Sequence, residues 1–142
     1  MTRALIDMES ITENEKQVGK YLLHYLSGLA AGSDGKAEAM TVTPELFNVY
    51  AEWGRPVVVL STHMDTVPPF IESREDEEHI YGRGACDAKG IIAAMIATFS
   101  VPARRPPSCL PPCSSGVMDL RCGIFKKPTP RGPPNLCAAP LT

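Results

Sequence analysis

Val57-Val58-Val59-Leu60-Ser61-Thr62-His63-Met64-Asp65 decides how the rest of the chain is read. Its first four residues are apolar and β-favouring without alternation, the pattern of a strand buried on both faces. His63 and Asp65 follow at the strand's end, two residues apart. In extended backbone that spacing puts both side chains on one face. A histidine beside a carboxylate, at the carboxyl edge of a parallel-type strand, is where open α/β sheets keep their chemistry. Downstream, Gly82-Arg83-Gly84-Ala85-Cys86-Asp87-Ala88-Lys89-Gly90 sets a second aspartate in a glycine-rich turn before an apolar helix.

Around this stretch the chain reads as mixed α/β. Thr2 to Met8 predicts a short helix, and Thr12 with Glu15 reads as a capping box opening a second one. Val18, Leu22, Tyr25, Leu26 and Leu29 give that helix an apolar stripe, which Gly28 and Gly32 close. Ala37 to Val42 and Leu46 to Trp53 read as strands, and Gly54-Arg55-Pro56 turns the chain into the strand at Val57. Glu72 to Glu78 is an acidic loop, and His79-Ile80-Tyr81 a short strand feeding the glycine turn. Ala88 to Phe99, apolar on most sides, predicts a helix buried against a sheet. No return strand is expected after it, so the α/β layer reads as incomplete.

Composition divides the chain at residue 100. Residues 1 to 100 hold fifteen of the sixteen acids and four of the fourteen prolines, with a formal charge of −7. Residues 101 to 142 hold ten prolines, four of the five cysteines, a single acid, Asp119, and a charge of +5. Paired prolines forbid regular helix and central strand. The reading is therefore a family-like part over 1–100 and a Pro/Cys/Arg-rich disordered tail over 101–142, of the kind an out-of-frame or misjoined coding sequence produces. The net charge of −2 gives no reason to expect nucleic acid or membrane as a partner. With no apolar run of bilayer length and an acid already at Asp7, a cytoplasmic protein is expected.

The glycines fit neither nucleotide signature. After Gly82-x-Gly84 the third glycine falls at Gly90, outside the dinucleotide spacing, and no Gly-Lys-Ser/Thr order follows. They serve instead to turn the backbone and bring Asp87 toward His63. Imidazole with carboxylates suits zinc and similar ions, and an acid two residues from a ligating histidine can hold its second N–H. Cys109, Cys113, Cys122 and Cys137 are too loosely spaced for a zinc site, and an odd cysteine count does not make a disulfide framework. Cys86 needs no catalytic role. His24 reads as a helix-surface residue and His79 as a strand residue.

Val57 to Pro68 followed by Ile80 to Gly90 resembles the M20 metallopeptidase family, over roughly residues 1 to 100. That resemblance implies an incomplete α/β layer of the zinc-exopeptidase (phosphorylase/hydrolase-like) kind. It implies that His63 ligates zinc, that Asp65, the catalytic residue, orients it, and that Asp87 bridges two zinc ions, cobalt or manganese being alternatives. The implied reaction is hydrolysis of the amide bond of an N-acyl amino acid or of a C-terminal peptide bond, on a small-molecule or peptide substrate with a free carboxylate. The family's Glu-Glu pair, its later acidic ligand and its distant histidine have no counterpart, for residues 101 to 142 contain neither Glu nor His. This chain is accordingly expected to be truncated and inactive. The alternative is a non-catalytic interaction fragment using Arg104-Arg105-Pro106-Pro107 and Lys126-Lys127-Pro128 as polyproline ligands.

Overall fold

A computed structural model describes residues 1–56, 58–100 and 116–121. Its elements in order are α1 (Thr2–Ile6), α2 (Lys16–Ala31), β1 (Gly35–Thr41), β2 (Phe47–Trp53), β3 (Val58–His63), β4 (Arg74–Glu75), β5 (Ile80–Tyr81), α3 (Lys89–Ser100) and β6 (Gly116–Arg121). Four strands form one sheet in the order β1-β2-β6-β3, and β4 and β5 pair as a separate two-stranded ribbon. The β1–β2 and β2–β6 pairs are antiparallel, whereas β3 and β6 run parallel, Leu60 opposite Met118 and His63 opposite Arg121.

The period-2 pattern of β2 explains where the core lies. Val49, Ala51 and Trp53 are buried, and Asn48, Tyr50 and Glu52 on the other face are only half-buried. Met118 and Leu120 pair with Ala51 and Val49 and extend the buried face. Both long helices cover it. α2 contributes Val18, Leu22 and Leu26 at helical spacing, with Gly19 lying under the Phe47 ring. α3 contributes Ile92, Met95 and Ile96, and its Phe99 ring stacks on Trp53 at 4.7 Å. α1 sits across the start of α3 with Leu5 and Ile6 fully buried.

Four expectations change. First, β3 is not buried on both faces: Val58 and Val59 are 53% and 64% exposed, because β3 is the outer strand of the sheet among the described residues. An unbroken apolar run records hydrophobicity, not position in the sheet. Second, α3 does have a return strand. β6 follows it and enters between β2 and β3, so the expectation that everything beyond residue 100 stands outside the fold fails for residues 116–121. Met118 and Leu120, two residues apart, stand in the longest stretch of that region free of proline, 113–127, which is what lets it pair on both edges. Third, Thr12 does not cap α2. Glu15 occupies the cap position without a side-chain cap bond, and the helix starts at Lys16. Fourth, Gly28 lies inside α2, which ends at Ala31 with Gly32 as C-cap.

The cysteines at 109, 113, 122 and 137 and both polyproline-type segments lie outside the described residues. Among the described residues no helix is long and apolar enough to cross a membrane.

Candidate metal centre

Three separate elements deliver the three site residues predicted from sequence. β3 ends at His63, the following extended segment carries Asp65, and the turn leading into α3 carries Asp87. His63 is the link between the two acids. Its Nδ1 lies 3.0 Å from Asp65 Oδ1 and 3.2 Å from the Asp65 carbonyl oxygen, and its Nε2 lies 3.0 Å from Asp87 Oδ1. Asp65 is mostly covered, with 17% of its side chain exposed, whereas Asp87 is open to solvent at 79%.

The turn that places Asp87 depends on glycine at two positions. Gly84 has φ +86°, the left-handed region that L-residues avoid, and its carbonyl accepts the Lys89 N–H at 2.9 Å. At Gly90 a Cβ would come within 2.1 Å of the Ala85 carbonyl oxygen, so only glycine lets the first turn of α3 close against this loop. Lys89 packs its stem on Gly84 and is 1% exposed, its Nζ donating to the Met8 carbonyl at 2.5 Å. Burial pushes the Lys89 ammonium down to about 8, against a partial upward pull from Asp7.

Behind Asp65 the chain is clamped by residues 10–12. Thr66 N donates to the Ser10 carbonyl at 2.8 Å, Thr12 N to the Thr66 carbonyl at 3.2 Å, and Ser10 Oγ to the Met64 carbonyl at 2.9 Å. Thr12 Oγ1 donates to Asp65 Oδ2 at 2.8 Å. Sequence reading assigned Thr12 to a helix cap and so missed this contact. A Ser/Thr near a helix start carries both meanings, and only the pairing of Ile11 with Thr66 separates them.

His63, Asp65, Arg83 and Asp87 line one cavity of about 440 Å³, walled on one side by Ile80 and Tyr81 of β5. Arg83 is fixed there by its Nε, which donates to the Pro69 carbonyl at 3.0 Å. Exposed Cys86 also lines the cavity. His24, exposed on α2, and exposed His79, whose Nδ1 is 3.6 Å from Asp76, stand apart from it.

Burial of His63 works against its charged form, but the hydrogen bond of Asp87 and the charge and hydrogen bond of Asp65 outweigh it. The ring therefore titrates above its ordinary value. Its two nitrogens are distinct: Nδ1 is committed to Asp65, and Nε2 faces the exposed carboxylate. That donor set suits a divalent ion, with an imidazole oriented from behind by a carboxylate and a second, anionic donor opposite. His63 and Asp87 could hold an ion from two sides. No group of three His, Cys, Asp or Glu residues is assembled as a ligand set among the described residues.

Comparison with known proteins agrees with this architecture. The sequence profile of peptidase family M20/M25/M40 matches residues 59–107. A probable carboxypeptidase of Aspergillus flavus is 38% identical over 114 residues, covering 66% of this chain and 26% of the relative. A peptidase M20 domain-containing protein of Schizosaccharomyces pombe is 37% identical over 98 residues, covering 66% of this chain and 24% of the relative. Among solved structures, a tripeptidase from Staphylococcus aureus superposes with TM-score 0.54 at 25% identity, over 84% of this chain and 33% of that one. An M20 family metallo-carboxypeptidase from Sulfolobus solfataricus shares the fold, with TM-score 0.54 at 17% identity over 84% of this chain and 28% of that one. The chain spans about a quarter of the length of the curated relatives it matches. The profile match, the curated relatives and the shared fold together support a fragment of peptidase family M20/M25/M40.

Proposed function

We propose that this chain carries one part of a divalent-metal hydrolase site, in which His63 and Asp87 hold the ion and Asp65 orients His63. Zinc is the ion the donors favour, with cobalt and manganese as alternatives, and in a two-ion site Asp87 would be the shared carboxylate. The observation that carries this reading is the unbroken contact from Asp65 through His63 to Asp87, at 3.0 Å on either side of the ring, inside one cavity. The reaction of a complete site of this kind is hydrolysis of an amide bond beside a free carboxylate, in N-acyl amino acids or at peptide C-termini. The carboxypeptidase and tripeptidase names of the relatives support that substrate class. A bound ion supplies Lewis acidity and lowers the pKa of a water toward neutrality.

This chain's own residues bind and orient. Asp65 accepts from His63 Nδ1 and so turns Nε2 toward Asp87, and these two groups would hold an ion between them, with Asp87 contributing negative charge at the open side. Among the described residues lining the cavity both aspartates are engaged with His63, and residues 101–142 contain no Glu or His to take a proton from water. The chain therefore binds metal without turning substrate over. Calorimetric titration with zinc and cobalt tests the first half: binding is expected in the wild-type chain and lost in His63→Ala and Asp87→Asn. Assays on N-acetyl amino acids and dipeptides with added zinc test the second, and no hydrolysis above the His63→Ala control is expected. Equal metal binding by the variants, or genuine turnover, overturns the proposal.

A further inference from the structure

We infer that Thr12 is a positioning residue of this centre: its hydroxyl holds Asp65 so that the carboxylate fixes the tautomer of His63. The inference rests on the reading of His63 as the metal-facing ligand. Three close contacts run in series, Thr12 Oγ1 to Asp65 Oδ2 at 2.8 Å, His63 Nδ1 to Asp65 Oδ1 at 3.0 Å and His63 Nε2 to Asp87 Oδ1 at 3.0 Å; the charged ring donates to both aspartates, the neutral ring to one of them. Each Asp65 oxygen thus has its own partner. A carboxylate held at one oxygen alone pivots about its last torsion; held at both, it presents Oδ1 to the imidazole in one orientation.

The hydroxyl comes from a rigid source. Thr12 follows Ser10 and Ile11, which lie alongside residues 64–66 through the Ser10, Thr12 and Thr66 backbone bonds and the Ile11–Thr66 bridge. Thr12 itself is exposed, so its substitution opens no hole in the core. The neutral imidazole carries one N–H, and Asp65 and Asp87 compete for it. With Asp65 held by Thr12 the proton belongs on Nδ1, leaving the Nε2 lone pair outward, as a metal ligand requires. With Asp65 loosened, Asp87 draws the proton to Nε2.

The test compares Thr12→Val, which keeps the shape and removes the hydroxyl, with Thr12→Ser, which keeps the hydroxyl. Long-range proton–nitrogen correlation spectra of the metal-free chain, at alkaline pH where the ring is neutral, read the His63 tautomer directly. The Nδ1–H form is expected in wild type and Thr12→Ser, and a shift toward Nε2–H in Thr12→Val, with melting temperatures close together. Zinc affinity, by competition with a coloured chelator, is expected to fall about 5-fold in Thr12→Val, below the 10–100-fold typical of losing the carboxylate partner itself. An unshifted tautomer in Thr12→Val, or a Thr12→Ser variant that behaves like it, overturns the inference. A wild-type chain that binds no zinc yet shows the tautomer response overturns the metal reading and leaves the Thr12 relay standing.

Discussion

His63, in contact with Asp87, and Lys89, two residues beyond it in sequence, respond to pH in opposite directions. The His63 ring titrates above its ordinary value, so in the metal-free chain its contribution to stability is complete below about pH 6.5. It is lost as pH rises through the raised folded value. Melting curves collected from mildly acid to mildly alkaline pH should therefore show wild type losing stability relative to His63→Ala. Lys89 is the converse case, lowered from 10.5 to about 8 because its ammonium is buried. Between those two values the unfolded chain binds the extra proton, so stability rises with pH, by roughly 3 kcal/mol across the full interval. Lys89→Met should abolish that rise, read as the difference between wild-type and variant denaturation midpoints at pH 8 and pH 10. Gly90 offers a steric test. Its replacement by Ala drives a methyl group into the Ala85 carbonyl oxygen, at an expected cost of about 1–3 kcal/mol in denaturant unfolding, and the turn that holds Asp87 must shift with it.

Elements were legible in proportion to how local their signals are. α2 and β2 follow their apolar periods, and the glycine turn before α3 could be read from Gly82, Gly84 and Gly90 alone. The pairing of His63 with Asp65 was equally open to reading, because period 2 in extended chain is enough to predict it. What sequence did not reveal depends on partners distant in the chain. Whether β3 is central or outermost is decided by which strands join it, and Thr12 finds Asp65 only because residues 10–12 lie beside 64–66. β6 stayed hidden because the prolines on both sides of it dominate the local composition. Among the described residues β3 is outermost and exposed. Val59, 64% exposed on β3, belongs to the kind of apolar edge that pairs with other chains. Val59→Lys should lower self-association in light scattering while the circular dichroism spectrum is unchanged.

At the scale of the molecule, the site joins the end of β3 at His63 to the glycine turn that carries Asp87. α1 and the segment of the β4–β5 ribbon are tied to each other, with Asp7 accepting from Ser73 N and Oγ at 2.7 and 2.9 Å and Arg3 paired with Glu75 at 2.8 Å. These ties fix the ribbon whose Ile80 and Tyr81 wall the cavity. The charge division at residue 100 was visible at once in the composition, but it did not coincide with the edge of the fold, since Gly116–Arg121 crosses it. Composition averages over stretches, whereas a strand needs only six residues with the right alternation.

The Lys89–Met8 hydrogen bond spans 81 positions of sequence and ties the segment after α1 to the turn that carries Asp87. Clipping the chain after Glu9 would strip a sequestered cation of its acceptor, and the ammonium would have to shed its proton or drag the loop outward to reach water. Limited proteolysis or a shortened expression boundary at that end should therefore register as weakened zinc capture, far from where the cut was made.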